Sequence, residues 1–203
     1  MPTMRDVAKR AGVAVMTVSR VVNNSGYVSD EKRAKVEAAI NELGYIPNAV
    51  ARSLRSSRTD TLAMILGDVM NPFWGLVIKG AQQSARQAGF RIILCNTGNS
   101  FAEQREYLEL VVERQVDGIL LVPLPDSNAV VEWVQLRKIP IVTIDSPVPG
   151  VDIDTVRCDS ETGAYQLTQL LINLGHERIA LINGPRESIP MQERKQGYQR
   201  ALV

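Results

Sequence analysis

A chain of 203 residues with 45% hydrophobic, 22% charged and only 5% aromatic residues has the composition of an ordinary folded protein, which argues against a disordered or fibrous chain. The net charge of +1 hides an asymmetry: residues 1–60 carry ten Lys/Arg against six Asp/Glu, a surplus of +4, so the remainder carries −3. A basic first segment ahead of a mildly acidic body suits a nucleic-acid module joined to a second domain, the plainer alternative being a basic solvated surface.

Thr3, Met4, Arg5 and Asp6 form a T-x-x-D pattern able to cap a helix over about residues 3–11, with Val7, Ala8 and Ala11 on one face. Gly12 breaks it four residues after the small Ala8. A helix-turn-helix needs that arrangement, because the turn takes a positive φ and the crossing tolerates no large side chain. A second helix is expected over 15–23, with Val18, Val21 and Val22 inward and Thr17, Ser19, Arg20 and Asn23 outward. Ser29 is the expected cap of a third helix over 30–43, with Asp30 and Glu31 in its first turn and Ala34, Val36, Ala39, Ile40 and Leu43 on one face, ended by Gly44. After Pro47, residues 48–54 are good helix formers but too few to be more than marginally helical alone in water. Residues 56–60 read as a polar linker.

From Thr61 the pattern changes to near-continuous apolar runs at 61–66, 91–95, 118–122 and 140–144, as expected of parallel strands buried on both faces. Amphipathic helices are expected between and after them, over 74–88, 101–115 and 128–137. This is a βαβ series and a doubly wound parallel sheet. Pro147, Pro149 and Gly150 suggest passage into a second lobe, followed by a helix over 160–174, a strand over 178–182 and a helical stretch over 191–203. One strand and two helices do not close a core, so the chain is read as C-terminally incomplete. The expected division is a headpiece at 1–47, a hinge helix and linker at 48–60, a first lobe at 61–147 and the start of a second lobe at 148–203.

Cys95 and Cys158 have no zinc or disulfide spacing and are expected to be buried free thiols, so no metal or cofactor is implied. There is no signal-like start and no run of membrane-spanning length, which points to the cytoplasm and to no membrane partner. Phosphate-loop, dinucleotide, nucleophile-elbow and metal-binding motifs are all missing, so an enzyme is not expected. The single histidine, His176, lies in a loop just before the strand expected over 178–182.

The run MRDVAKRAGVAVMTVSRVVNNSGYVSDEKRAKVEAAINELGYIPNAVARSL resembles the headpiece of the lactose/galactose-repressor family. NPFWGLVIKG, VDGILLVP and LGHERIALINGP resemble the effector domain of the same family, which is similar to periplasmic sugar-binding proteins. The resemblance implies an all-α helix-turn-helix headpiece plus an α/β doubly wound, periplasmic-binding-protein-like sensor. The second helix would then read the major groove through Val15, Met16 and Arg20, Arg20 being able to bind guanine O6 and N7 and the other two offering apolar contacts. Thr3, Thr17, Ser19 and Asn23 would contact phosphates. Leu54 would wedge a central base step in the minor groove, with Ala51 one turn before it, although Leu54 could instead pack on the sensor. Asn48 would contact the backbone or cap the hinge helix. One departure is Ala14, where the family commonly has a capping serine, a loss of about 1 kcal/mol.

For the effector the resemblance implies a cleft between two lobes lined by Asp68, Asn71, Phe73, Trp74, Asp145 and Arg194, with Pro190 standing where a hydroxyl residue is common. The implied function is a DNA-binding regulator, by resemblance a repressor. It would bind a near-palindromic double-stranded operator as a homodimer under control of a sugar-like or nucleobase-like effector. The sign of the effector response stays open. The rival readings are a truncated fragment that does not regulate and a small-molecule-binding protein without DNA recognition.

Overall fold

The computed structural model describes residues 2–46 and 58–203. The chain divides into two compact units, 1–57 and 58–203.

The first unit contains α1 (Met4–Ala11), α2 (Val15–Val22) and α3 (Asp30–Leu43). α1 starts because Thr3 and Asp6 satisfy each other's backbone: Thr3 Oγ1 accepts from the Asp6 N–H at 3.4 Å, and Asp6 Oδ2 accepts from the Thr3 N–H at 2.8 Å. It stops at Gly12, whose φ of 66° is the left-handed conformation anticipated for the turn. Val7, Ala8, Val18, Val21, Val36, Ala39 and Tyr45 form the core, and Val22, Ile40 and Leu43 pack against it. Two expectations for α3 need correction. Ser29 stands at the N-cap but its side chain makes no capping hydrogen bond. Ala34 is exposed, because the inward stripe is Val36, Ala39, Ile40 and Leu43, and a residue two positions before Val36 lies about 200° round the helix.

The second unit is built on a five-stranded parallel sheet in the order β2-β1-β3-β4-β5, from β1 (Thr61–Leu66), β2 (Arg91–Asn96), β3 (Gly118–Leu121), β4 (Ile141–Ile144) and β5 (Thr155–Val156). Alternation along the strands splits the core between two faces. Ala63, Ile65, Ile119 and Leu121 pack with Leu108 and Val111 of α5 (Phe101–Glu113) and with Val130, Val131 and Val134 of α6 (Asn128–Gln135). Met64, Leu66 and Leu120 pack instead with Trp74, Val77 and Ile78 of α4 (Pro72–Gln87). Helices on both faces of a parallel sheet make it doubly wound, as expected. α7 (Ser160–Asn173) and α8 (Ile189–Ala201) then pair. Their crossing passes over Gly197, where an added Cβ would stand 2.1 Å from the Glu161 carbonyl oxygen.

Several details differ from expectation. β2 is an edge strand, so Ile93 and Leu94 are exposed and only Cys95 is buried among its residues. Residues 178–182 form no strand and Ile182 is 98% exposed, since a strand needs a neighbour and this segment borders none of the five. The Pro147–Gly150 stretch does not leave the sheet: Val148 is buried in its core, Val151 and Ile153 pack there, and the unanticipated β5 pairs with β4. Cys158 is exposed rather than buried. No helix among the described residues is long and apolar enough to cross a membrane.

Candidate nucleic-acid interface and ligand crevice

α2 presents the face expected of a reading helix. Val18 and Val21 fix its orientation by burial, and this turns Val15, Met16 and Arg20 outward, Met16 being 64% exposed. Ala14 stands at the N-cap without a side-chain hydrogen bond, so the first N–H groups of α2 are not satisfied by a cap and point, with the positive end of the helix dipole, beyond Val15. Thr17 and Ser19 are half-buried. Asn23 Nδ2 donates to the Ser19 carbonyl at 2.9 Å and to Ser19 Oγ at 3.2 Å, which closes the C-terminal turn and ties two of the expected phosphate-contacting side chains to each other.

Thr3 is committed further: its hydroxyl donates to Asp6 Oδ2 at 2.7 Å, and these Thr3 hydrogen bonds hold the Asp6 carboxyl below its ordinary range. The stem of Arg20 runs beside the turn that follows α2, 3.7 Å from where a Cβ on Gly26 would sit, and the φ of 69° at Gly26 keeps that turn tight. Sequence reasoning passed over Tyr27, which is 86% exposed beside this turn; a tyrosine closing the polar run NNSGY was the available signal. Asn48, Ala51 and Leu54 lie outside the described residues.

In the second unit the strand order reverses between β1 and β3, so the connections leaving their C-terminal ends run to opposite faces and leave a crevice. The segment after β1 is shaped by its own side chains. Asp68 Oδ1 accepts the Met70 N–H at 2.8 Å, Asn71 Oδ1 caps α4 by accepting the Phe73 N–H at 3.1 Å, and Asn96 Oδ1 accepts the Val69 N–H at 3.1 Å. That cap sets the register of two adjacent aromatics: Phe73 is 46% exposed, whereas Trp74 is 8% exposed and packs with Met64 and Leu66. Their rings meet edge to face at 5.0 Å. Trp74 therefore serves the core, and Phe73 is the exposed ring of the pair.

Asp145 follows β4 with a φ of 72°, its N–H donating to the Val156 carbonyl at 2.9 Å. Burial pushes its carboxyl above the ordinary range, against the pull of Arg194 and Arg157. Asp145 and Arg194 thus share one electrostatic neighbourhood, while Arg157 is ion-paired to Glu193. The opposite wall depends on a residue not anticipated, Gln104. Fully buried on α5, it donates from Nε2 to Ser127 Oγ at 2.7 Å and accepts the Leu124 N–H at 3.1 Å, fixing the loop after β3. An amide at the inward spacing shared with Leu108 and Val111 was its trace in the sequence. Among the described residues no group of three or more His, Cys, Asp or Glu is placed to hold a metal ion.

The architecture is a helix-turn-helix headpiece with an exposed second helix, followed by a doubly wound sheet with a crevice at its order reversal, the class in which such a headpiece is joined to a periplasmic-binding-protein-like domain. Family models agree in both parts: "Bacterial regulatory proteins, lacI family" matches residues 3–48, and "Periplasmic binding proteins and sugar binding domain of LacI family" matches residues 59–203. The chain belongs to the LacI family. It is 39% identical over 204 residues to the ribose operon repressor of Escherichia coli, covering 100% of this chain and 62% of that protein. It is 38% identical to the transcriptional repressor PurR of Vibrio vulnificus, covering 100% of this chain and 61% of the relative. Among solved structures, the Lac repressor dimer bound to operator and the anti-inducer ONPF matches with a TM-score of 0.85 at 28% identity, over 99% of this chain and 61% of that one. The CelR–cellobiose complex matches with a TM-score of 0.64 at 35% identity, over 100% of this chain and 61% of that one. The chain therefore spans about three-fifths of the length of these relatives.

Proposed function

We propose that this chain carries the DNA-reading and part of the ligand-sensing machinery of a cytoplasmic transcriptional repressor. It is not an enzyme, and it binds a near-palindromic operator as a homodimer. The observation that carries this reading is the outward face of α2, where Val15, Met16 and Arg20 stand clear of a helix fixed by Val18 and Val21. Arg20 offers the two-pronged donor that suits guanine, and Val15 and Met16 suit a thymine methyl. Thr17, Ser19 and Asn23, with the uncapped N–H groups of α2, serve the phosphates and set register. Thr3 serves α1 first, Leu54 with Ala51 supplies the minor-groove contact, and Asn48 contacts the DNA backbone or caps the hinge helix.

The second unit is the sensor. Asp68, Asn71, Phe73, Asp145 and Arg194 combine hydroxyl-binding amide and carboxylates, one aromatic face and one cation, a set suited to a sugar or a nucleobase. The names of the relatives, a ribose operon repressor, a PurR repressor and a cellobiose complex, favour that chemical class. The passage into the second lobe is put after β5, because β5 still pairs with β4 and Val148, Val151 and Ile153 pack in the same core.

The test is binding of the chain to a near-palindromic duplex selected from random sequence, against a scrambled duplex, over a range of salt. Sequence-dependent binding is expected, with Arg20→Ala weakening it by about 10- to 100-fold and relaxing preference at one base position. Weak binding that depends steeply on salt and ignores sequence would overturn the reading.

A further inference from the structure

The segment Val116–Gly118 opens one of the stretches singled out in the sequence, yet it takes no part in the α2 face or the crevice. Val116 is buried in the sheet core. Gly118 lets the strands close up, since a Cβ there would lie 3.1 Å from Leu62 Cδ2 and 3.5 Å from the Pro140 carbonyl oxygen. Asp117 lies between them, just before β3 and so at the end of the sheet opposite the crevice.

The Asp117 carboxylate accepts the Thr59 N–H through both oxygens, at 3.1 and 3.2 Å, and the Thr61 N–H at 3.3 Å. Its own N–H donates to the Thr61 carbonyl at 2.8 Å, and the Thr59 hydroxyl donates to the Gln115 carbonyl at 3.2 Å. On the β2 side, the Arg91 N–H donates to the Asp60 carbonyl at 2.9 Å and the Arg58 guanidinium lies 5.3 Å from the Phe90 ring centre. The chain passes from its first compact unit to its second between Ser57 and Arg58. Residues 58–61, the first of the second unit, are thus stitched to both neighbours of β1, and one carboxylate takes two backbone N–H groups of that stretch.

We infer that Asp117 is a positioning residue for operator recognition: it fixes the point at which the linker leaves the sensor sheet. The inference rests on the proposed function. Hydrogen bonds to a carboxylate are stronger than those to a neutral acceptor, so Asp117 sets where along the chain the hold of the sensor sheet begins. In a dimer the gain from a second half-site depends on tether length and stiffness. Releasing Thr59 and Thr61 lengthens the tether, lowers the effective concentration of the second headpiece at its half-site, and leaves each headpiece's own contacts unchanged. The same anchor makes any displacement of the start of β3 felt at the linker.

The experiment compares the wild-type chain with Asp117→Asn, which keeps the size of the side chain but replaces one acceptor oxygen by a donor. Two quantities are measured: amide hydrogen exchange, and affinity for a selected palindromic duplex and for a duplex carrying one half-site. The Thr59 and Thr61 amides are expected to exchange about tenfold faster in the variant, with Ala63–Leu66 unaltered. Affinity for the palindrome is expected to fall about fivefold, with half-site affinity unchanged. Thr59→Val, which deletes only the hydroxyl bond to Gln115, is the gentler second arm and should move both readouts in the same direction by less. Faster exchange with undiminished palindrome affinity would overturn the inference and leave Asp117 a structural stitch. Equal losses on both duplexes would also overturn it, by placing the defect in the headpiece. If the wild type itself fails to distinguish either duplex from a scrambled one, the regulator reading fails and the inference falls with it.

Discussion

Replacing Gln104 by methionine separates hydrogen bonding from volume at the wall of the crevice. Methionine matches the length and unbranched shape of glutamine and fills the same buried space, but it offers neither the donor to Ser127 Oγ nor the acceptor for the Leu124 N–H. Ser127 keeps one bond, because its hydroxyl donates to the Leu124 carbonyl at 2.6 Å. The loss therefore centres on one part-buried backbone N–H left without its acceptor, which costs about 1–2 kcal/mol, together with one neutral hydrogen bond worth about 1 kcal/mol. Allowing for the favourable transfer of an apolar side chain into the core, the net destabilisation is about 2 kcal/mol. Urea unfolding followed by tryptophan fluorescence isolates the effect, since both tryptophans, Trp74 and Trp133, belong to the second unit. A variant within about 0.5 kcal/mol of wild type, with the Leu124 amide equally protected from exchange, would refute the assignment of Gln104 as the clasp of this loop.

Three further outcomes follow from local geometry. Ala14→Ser supplies the side-chain acceptor that α2 lacks and should strengthen it by about 1 kcal/mol, read as about fivefold slower exchange of the α2 amides. Gly197→Ala places a Cβ 2.1 Å from the Glu161 carbonyl oxygen, so α7 and α8 must separate; a loss of about 2 kcal/mol or more in the urea midpoint of the second unit is expected. Asp145→Asn tests the electrostatics of the crevice. Because burial raises the folded-state pKa of Asp145, its charged form opposes folding above the unfolded pKa, so the variant should be more stable than wild type at neutral pH, with the gain vanishing as pH falls below about 4. A variant less stable at neutral pH would mean that Arg194 and Arg157 outweigh burial.

What could be read in advance was whatever is decided within a few residues of chain. The Thr3–Asp6 cap and the Gly12 turn are local devices, and both occur as anticipated. So do the strand runs at 61–66 and 118–122, the second ending one residue early at Leu121, and their residues alternate between two packed faces. The misses share a different physics. Nothing in RIILC distinguishes an edge strand from a central one, because that depends on which neighbours pair with it. Nothing in RIALI can supply the strand partner that residues 178–182 lack in this structure. Phe73 and Trp74 were equal candidates until the Asn71 cap fixed the register of α4, which sent one ring to the surface and the other into the core.

The hidden polar residues are the sharpest case. Gln104 acts on a backbone N–H 20 residues away, and Asp117 acts on one 58 residues away, and in both cases the partner is a peptide group, which every residue except proline can present. A motif identifies a residue by its neighbours in sequence, so it can find an Arg20 on a solvent-facing helix. A carboxylate that clasps main chain leaves no complementary side chain to be found, and its role becomes visible only when the topology brings the start of β3 beside the start of β1. For this fold, the residues that position the functional surfaces are therefore better sought among polar side chains bonded to distant backbone than among those that resemble ligand contacts.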